Sequence, residues 1–424
     1  MKENFDIVPI AENVTHNYNT EETGRNNNIL VIAGTGKGKT KSVVYPMLLH
    51  TNNSSLVVPI SKRDVLYKFG NDFVQKGYDV EVLDLADASK STIGFEPLFY
   101  LKDQTEVLDL AEKIVNVEDS SNLVRDPYWN NAAVSLIAAE MSLLIENWAY
   151  EQNEDGSDLT KPPTMLDVLA LHSQLSFTDS VRVTEFTKST LDEAFEELEQ
   201  KNPNSYAASC WKVVKKLAAR TVSCIVSTVN VAYTKIFTTQ MKKIMSLNTL
   251  DIALLGEKKT VLFVVSSPVN KSSQMFANLF YSTLFKELFD TAESYPDCVL
   301  PVPVQIICDD FACGSKIPKF SEYISIIRSC GISVTMLVQS ETQLADMYGT
   351  SAANTIVDNC DTMIYMGGMS LQTCSNMSMR VNQPLDDIIS MPIGVVYVVR
   401  AGEKPRKTNR YNIYADEGYK RLIC

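Results

Sequence analysis

Residues 33–40 read Ala-Gly-Thr-Gly-Lys-Gly-Lys-Thr: a small residue, four spacers, then glycine, lysine and a hydroxyl. Gly34, Gly36 and Gly38 let the backbone curl until its amides face an anion. The Lys39 ammonium reaches the β and γ phosphates of a nucleotide, and the Thr40 hydroxyl is a ligand for Mg²⁺. The cradle expected from this spacing is Gly34, Thr35, Gly36, Lys37, Gly38, Lys39, Thr40 and Lys41. A second group with chemical potential is VQIICDDF, where an apolar run ends in two carboxylates. Asp309 suits the magnesium side, with Thr40, and Asp310 suits the polarisation of an attacking water. The alternative is that both acids merely cap the helix that follows. Taken together, the two stretches lead us to expect hydrolysis of ATP with Mg²⁺ as its metal.

Elements of the right type surround these residues. Ile29–Ile32 reads as a strand ahead of the loop, and KSVVYPMLLH reads as a helix after it, adding its N-terminal dipole to the anion site. SSLVVP and DVEVLDL continue the alternation of strand and helix. It resumes late in the chain with KTVLFVVS, VPVQIICDD, ISVTMLVQ, DTMIYMGG and GVVYVVR. Strands alternating with helices imply an α/β fold with a doubly wound, mostly parallel sheet. Between them, from Glu106 to about Ala219, apolar residues recur at helical spacing, which implies an inserted all-α domain. The expected organisation is a loosely held segment 1–23, a nucleotide-binding domain 24–98 plus 220–424, and the all-α insertion 99–219.

Bulk properties narrow the function classes. The chain has 424 residues, 45% of them hydrophobic, and a net charge of −12, which disfavours indiscriminate adhesion to nucleic acid. Locally, no acidic residue falls between Glu199 and Asp251, whereas eight lysines and arginines do, from Lys201 to Lys243. This run is either a solvated face or a DNA-facing one. Tyr206 and Trp211 within it are candidates for stacking on bases or for the core. The nine cysteines lack a CxxC pair and read as reduced core residues. No run of about 18 apolar residues and no signal-peptide layout occurs. The expected location is cytoplasmic.

The order of glycine loop, α insertion, apolar strand with Asp-Asp-Phe, arginine in the next helix, and strand ending Val-Gln resembles the type IV secretion system coupling proteins, the TraG/TraD-type conjugation ATPases. DVLYKFG (64–70), DPYW (126–129), Thr221-Val222-Ser223, LVQSETQLADMYG (337–349) and TMIYMGG (362–368) support the resemblance. It implies a RecA-like P-loop fold, with Arg328 as γ-phosphate-sensing arginine and Gln339 as sensor glutamine. It implies a hexameric ring that pumps DNA, in single-stranded and relaxase-linked form, toward a secretion channel. Relaxase, channel components and a separate membrane anchor are the implied partners, and through them the resemblance implies peripheral seating at the inner face of the membrane. Departures from the family pattern are Asp310 in place of the usual glutamate, which implies slow hydrolysis, and Ser61-Lys62-Arg63-Asp64 where a glycine is usual. Asn27 and Arg25 stand near the place of a trans-acting arginine. Two other functions fit: a nucleotide-binding adaptor that recruits cargo with little hydrolysis, and a ring ATPase that moves DNA without secretion.

Overall fold

The apolar runs that frame the glycine loop become strands of one sheet. The computed structural model describes residues 5–116, 127–155, 161–178, 188–309, 311 and 316–423. Two compact units result, one made of Met1–Thr92, Asp251–Asn270 and Leu284–Cys424, the other of Ile93–Leu250 and Lys271–Thr283.

Strands of the first unit, in chain order, are β1 (Ile7–Ala11), β2 (Val14–Asn17), β3 (Ile29–Ile32), β4 (Ser55–Ile60), β5 (Asp79–Asp84), β6 (Thr260–Val265), β7 (Val304–Cys308), β8 (Ile332–Val338), β9 (Thr362–Tyr365), β10 (Val395–Arg400) and β11 (Arg406–Asn409). Nine of them form a sheet in the order β11-β10-β9-β3-β8-β7-β4-β6-β5. From β9 to β5 the neighbours run parallel, and β10 and β11 add an antiparallel hairpin at one edge. β3, β7 and β8 are buried along their whole lengths, as strands covered by helices on both faces must be. This is the doubly wound architecture that the alternation of elements implies, and it agrees with the RecA-like fold that the resemblance implies. In register, Val338 and Tyr365 both lie beside Ile32, and Met336 lies beside Cys308. The residues that follow β3, β7, β8 and β9 therefore emerge at one edge, the carboxyl edge, where open α/β sheets build their sites.

Residues 5–23 correct the expectation of a loosely held segment. β1 and β2 pair as an antiparallel hairpin, and Val8, Ile10, Ala11, Val14 and Tyr18 enter the same hydrophobic core as Ile29 and Val31. The turn is tied to the sheet's edge, since the Glu12 amide donates to the Asn409 carbonyl at 2.9 Å. Polarity misleads here because polar residues such as Glu12, Asn13 and Thr15 sit among strand residues that are mostly buried, Ile7 being the exposed exception.

Within the second unit, the 29-residue helix Pro127–Asp155 packs against the helices Gln104–Val115, Tyr206–Lys215 and Ala219–Ile236. Of the stretch Tyr128–Gln152, long and apolar enough to cross a bilayer by composition, 61% of the most apolar window is buried inside the protein. The unit reaches further than 99–219. Val222, Ile225, Val229, Met241 and Ile244 are buried, so the helices after 219 belong to it. The chain enters and leaves the unit side by side: the Gly94 amide donates to the Asn248 carbonyl at 2.7 Å, and the Leu250 amide to the Gly94 carbonyl at 3.1 Å. Phe276 and Phe280, in the first half of the helix Lys271–Glu293, stack edge-on against Phe95.

Candidate functional site

The glycine loop leaves β3 pinned on both sides. The Ala33 amide donates to the Val338 carbonyl at 3.0 Å and the Gly34 amide to the Gly367 carbonyl at 2.9 Å. Gly36 (φ +74°) and Gly38 (φ +87°) then adopt left-handed backbone that a Cβ would strain. The helix starts at Thr40 with a wide turn, in which the Tyr45 amide donates to the Thr40 carbonyl, and runs on through Tyr45–His50. Pro46 has no N–H to continue the regular ladder, and the wide turn just ahead of it absorbs that break.

Four of the expected residues converge on this edge. Lys39 is 8% exposed, and its Nζ donates to the Ala33 carbonyl at 3.0 Å, so the ammonium folds back across the mouth of the loop. Thr40 Oγ1 donates to Asp309 Oδ2 at 2.6 Å. Gln339, at the end of β8 between the loop strand and the acid strand, accepts from Thr35 Oγ1 at 3.2 Å. Its amide donates to Gln343 Oε1 at 3.0 Å, which fixes the backbone where strand gives way to helix. Cys308, next to Asp309, has its thiol pushed up to about 12 by burial and by the Asp309 charge. A curled loop of amides, an ammonium across its mouth and a hydroxyl–carboxylate pair beside it form a donor set that fits a magnesium-bound polyphosphate. Thr40 and Asp309 would hold the metal, and 34–41 the phosphates.

Arg328 is not brought to this edge. It lies in the turn Ile327–Cys330 ahead of β8, and its Nη2 donates to the Gly24 carbonyl, ahead of β3, at 3.4 Å. The seven residues of β8 at about 3.3 Å each separate it from Gln339 by on the order of 20 Å. Contact between Arg328 and a phosphate held by the same chain is therefore ruled out. The expected Asp310, and with it Asp126 and Cys313, lies outside the described residues. Arg25 and Asn27 are engaged locally, Arg25 with Glu403 at 2.7 Å and Asn27 with the Tyr18 carbonyl at 2.8 Å. Arg63 grips buried Asp84 through two bonds of 2.5 and 2.9 Å, and Asp64 opens the following helix.

Two residues at the loop escaped the sequence. Arg410 Nη1 approaches the Lys37 carbonyl at 3.4 Å and lies 2.8 Å from where a Cβ on Gly38 would sit. Tyr414 accepts a 2.7 Å hydrogen bond from Lys41 Nζ, and the ammonium also lies 5.4 Å from its ring centre. No motif marks residues so distant in sequence as neighbours of the loop.

The basic run of the helical unit proves partly neutralised. Lys212 pairs with Glu199, and Lys215 with Asp192 and Glu196 at 3.2 Å each. The acidic stretch 192–199 and the basic one after it are thus two faces of one helix pair. Trp211 is 2% exposed, stacked on Phe195 at 4.5 Å between ring centres, and its Nε1 donates to Asp192 at 3.1 Å. It belongs to the core and offers no base platform. Lys216, Arg220, Lys242 and Lys243 remain exposed.

The pattern of one protein family, described as Type IV secretory system Conjugative DNA transfer, matches residues 9–381. No curated protein sequence matches the chain. Among solved structures, the bacterial conjugative coupling protein TrwB in complex with sulphate superposes with a TM-score of 0.64 at 17% identity, covering 91% of this chain and 85% of that one. TrwB in complex with ADP and Mg²⁺ gives 0.63 at 15% identity, with the same coverage of 91% and 85%. VirB4 of Thermoanaerobacter pseudethanolicus gives 0.53 at 11% identity over 92% and 91%. These likenesses extend the shared RecA-like architecture to nearly the whole chain. With a family pattern running over residues 9–381, which hold strands β2 to β9, the chain belongs to the type IV secretory system conjugative DNA transfer family.

Proposed function

We propose that this protein is an ATP-hydrolysing coupling protein that recruits DNA and drives it toward a type IV secretion channel. The observation that carries the reading is the pair Thr40–Asp309 at 2.6 Å beside Lys39, at the carboxyl edge of a parallel sheet, in a chain of the conjugative DNA transfer family. Structures of TrwB with ADP and Mg²⁺ and with a non-hydrolysable ATP analogue support the choice of ligand.

In this reading the amides of 34–40 and the Lys39 ammonium bind the β and γ phosphates. Thr40 and Asp309 bind the magnesium ion, which supplies charge neutralisation at the transferred phosphoryl group. Asp310 orients the attacking water. Gln339, hydrogen-bonded to Thr35 in the loop, relays the presence of the γ-phosphate to the helix behind it. Arg328 acts on the nucleotide of a neighbouring copy, because its own chain holds it at the opposite edge; a ring of copies, six in the implied assembly, satisfies that requirement. Exposed Lys216, Arg220, Lys242 and Lys243 are the cations available to DNA phosphates. Single-stranded, relaxase-linked DNA is the proposed cargo, with the relaxase, channel components and a membrane anchor as partners at the inner face of the membrane.

Steady-state ATPase with and without single- and double-stranded DNA tests this, at fixed salt because phosphate contacts weaken steeply with ionic strength. DNA-stimulated turnover that Lys39→Ala abolishes is the expected result. Nucleotide binding without turnover in the assembled protein overturns the motor and leaves an adaptor.

A further inference from the structure

The glycine loop draws most of its cationic side chains from its own sequence, Lys37, Lys39 and Lys41. A further one arrives from the far end of the chain. After β11 the backbone turns at Arg410, whose amide donates to the Gly394 carbonyl at 2.7 Å. The preceding strand is held as well, since Thr408 Oγ1 and Asn409 Nδ2 both donate to Glu12, at 3.0 and 2.7 Å. The backbone leading into Arg410 is therefore fixed, while the guanidinium itself is exposed and leans on the loop.

Its hydrogen bond there is to a neutral carbonyl, that of Lys37, at 3.4 Å. That is beyond the usual range for an N–H···O bond, so little holds the group in place. The glycine it leans on is Gly38, directly before Lys39, whose amide in a loop of this type faces the polyphosphate. A guanidinium carries five donors in a planar fork that matches phosphate oxygens. We propose that Arg410 is a polyphosphate ligand supplied in cis, and that it exchanges its long bond to the Lys37 carbonyl for a forked contact with the phosphates of a nucleoside di- or triphosphate.

The surroundings favour an anion. Lys41 and Lys68 both approach aromatic rings of the same corner, Lys41 at Tyr414 and Lys68 at Tyr45 and Tyr419. The Tyr414 hydroxyl is pulled below its ordinary value by the hydrogen bond from Lys41, with Lys68 and Arg410 adding to the positive field. This inference rests on the nucleotide reading of the loop, and it adds the terminal strap to that site.

The test is binding of ATP, ADP and inorganic tripolyphosphate to the full chain by calorimetry, for wild type, Arg410→Ala, Arg410→Lys and Lys39→Ala, with the melting temperature of each in the absence of ligand. The expected result for Arg410→Ala is an unchanged melting temperature and a Kd about 10–100-fold higher for all three ligands, from the loss of a charge-assisted contact. Arg410→Lys should recover part of that loss, since the charge returns without the fork. Wild-type affinity in Arg410→Ala, with binding abolished in Lys39→Ala, overturns this inference and leaves the proposed function standing. A lowered melting temperature together with no recovery by lysine also overturns it, since Arg410 would then only brace the strap. A wild type that binds none of the three sinks both.

Discussion

Replacing Trp211 separates a core role from a DNA-binding one. The indole is 2% exposed, lies face to face with Phe195 with the ring planes 9° apart, and bonds Asp192 through Nε1. Trp211→Ala removes a buried aromatic side chain of the helical unit, which costs about 3–5 kcal/mol. At roughly 2–4 °C per kcal/mol for a unit of this size, the melting temperature should fall by roughly 6–20 °C. Trp211→Phe keeps a ring on Phe195 but loses the hydrogen bond and part of the buried ring system. Asp192 retains Lys215 at 3.2 Å, so this cost should be about 1–3 kcal/mol, below that of the alanine variant. Thermal unfolding followed by circular dichroism reads the stabilities, and fluorescence anisotropy with a labelled oligonucleotide reads DNA affinity, which Trp211→Phe should leave unchanged. An Ala variant that melts within a degree of wild type while losing tenfold in affinity for single-stranded DNA would refute the core assignment.

Two further outcomes follow from buried or displaced charges. Glu96 is buried, accepts from the Leu98 and Met165 amides at 3.1 and 2.8 Å, and has its pKa raised by desolvation from 4.5 to about 7. The folded state holds this proton more tightly than the unfolded one, so the group's stabilising contribution is full below about pH 4.5 and is lost as pH rises through 7. The difference amounts to about 3 kcal/mol. Glu96→Gln keeps the acceptor and should therefore gain melting temperature over wild type between pH 5 and pH 8; parallel pH profiles for the two proteins would contradict this. Arg328→Ala should bind nucleotide as wild type does yet hydrolyse it poorly, and mixing it with Lys39→Ala should give more turnover than either alone. Weakened nucleotide binding and no recovery on mixing would count against action across copies.

What could be read in the sequence was local. Ile29–Ile32, the glycine loop and the helix after it are contiguous, so steric and phosphate-binding logic applies directly. Asp309 and Gln339 were legible because each ends an apolar run, and parallel strands deliver their ends to one edge. Pairings across distant segments were hidden. The ion pairs between 192–199 and Lys212 and Lys215 were hidden because only the turn at Asn202–Asn204 folds the one stretch back on the other. Trp211 shares a helical stripe with Ala207, Cys210 and Val214, but the lysines beside it left a base-stacking role open. The β1–β2 hairpin looked polar because Glu12, Asn13, Thr15, His16 and Asn17 interrupt its apolar residues, most of which are buried. Arg410 and Tyr414 reach the loop only through the edge hairpin of the sheet, and nothing near 410 in sequence speaks of phosphate.

The paired passages at Gly94 and Leu250 have a consequence for engineering. Where a chain goes out and returns within one hydrogen bond of itself, everything between is a cassette. Helices 95–247 can be exchanged for those of a relative without rethreading the sheet, and a hybrid made this way would combine the nucleotide site of one protein with the helical unit of another. The graft has one fixed requirement. Phe276 and Phe280 stay behind on the helix that begins at Lys271, so any donor must bring an aromatic counterpart to Phe95 or leave two large rings facing water.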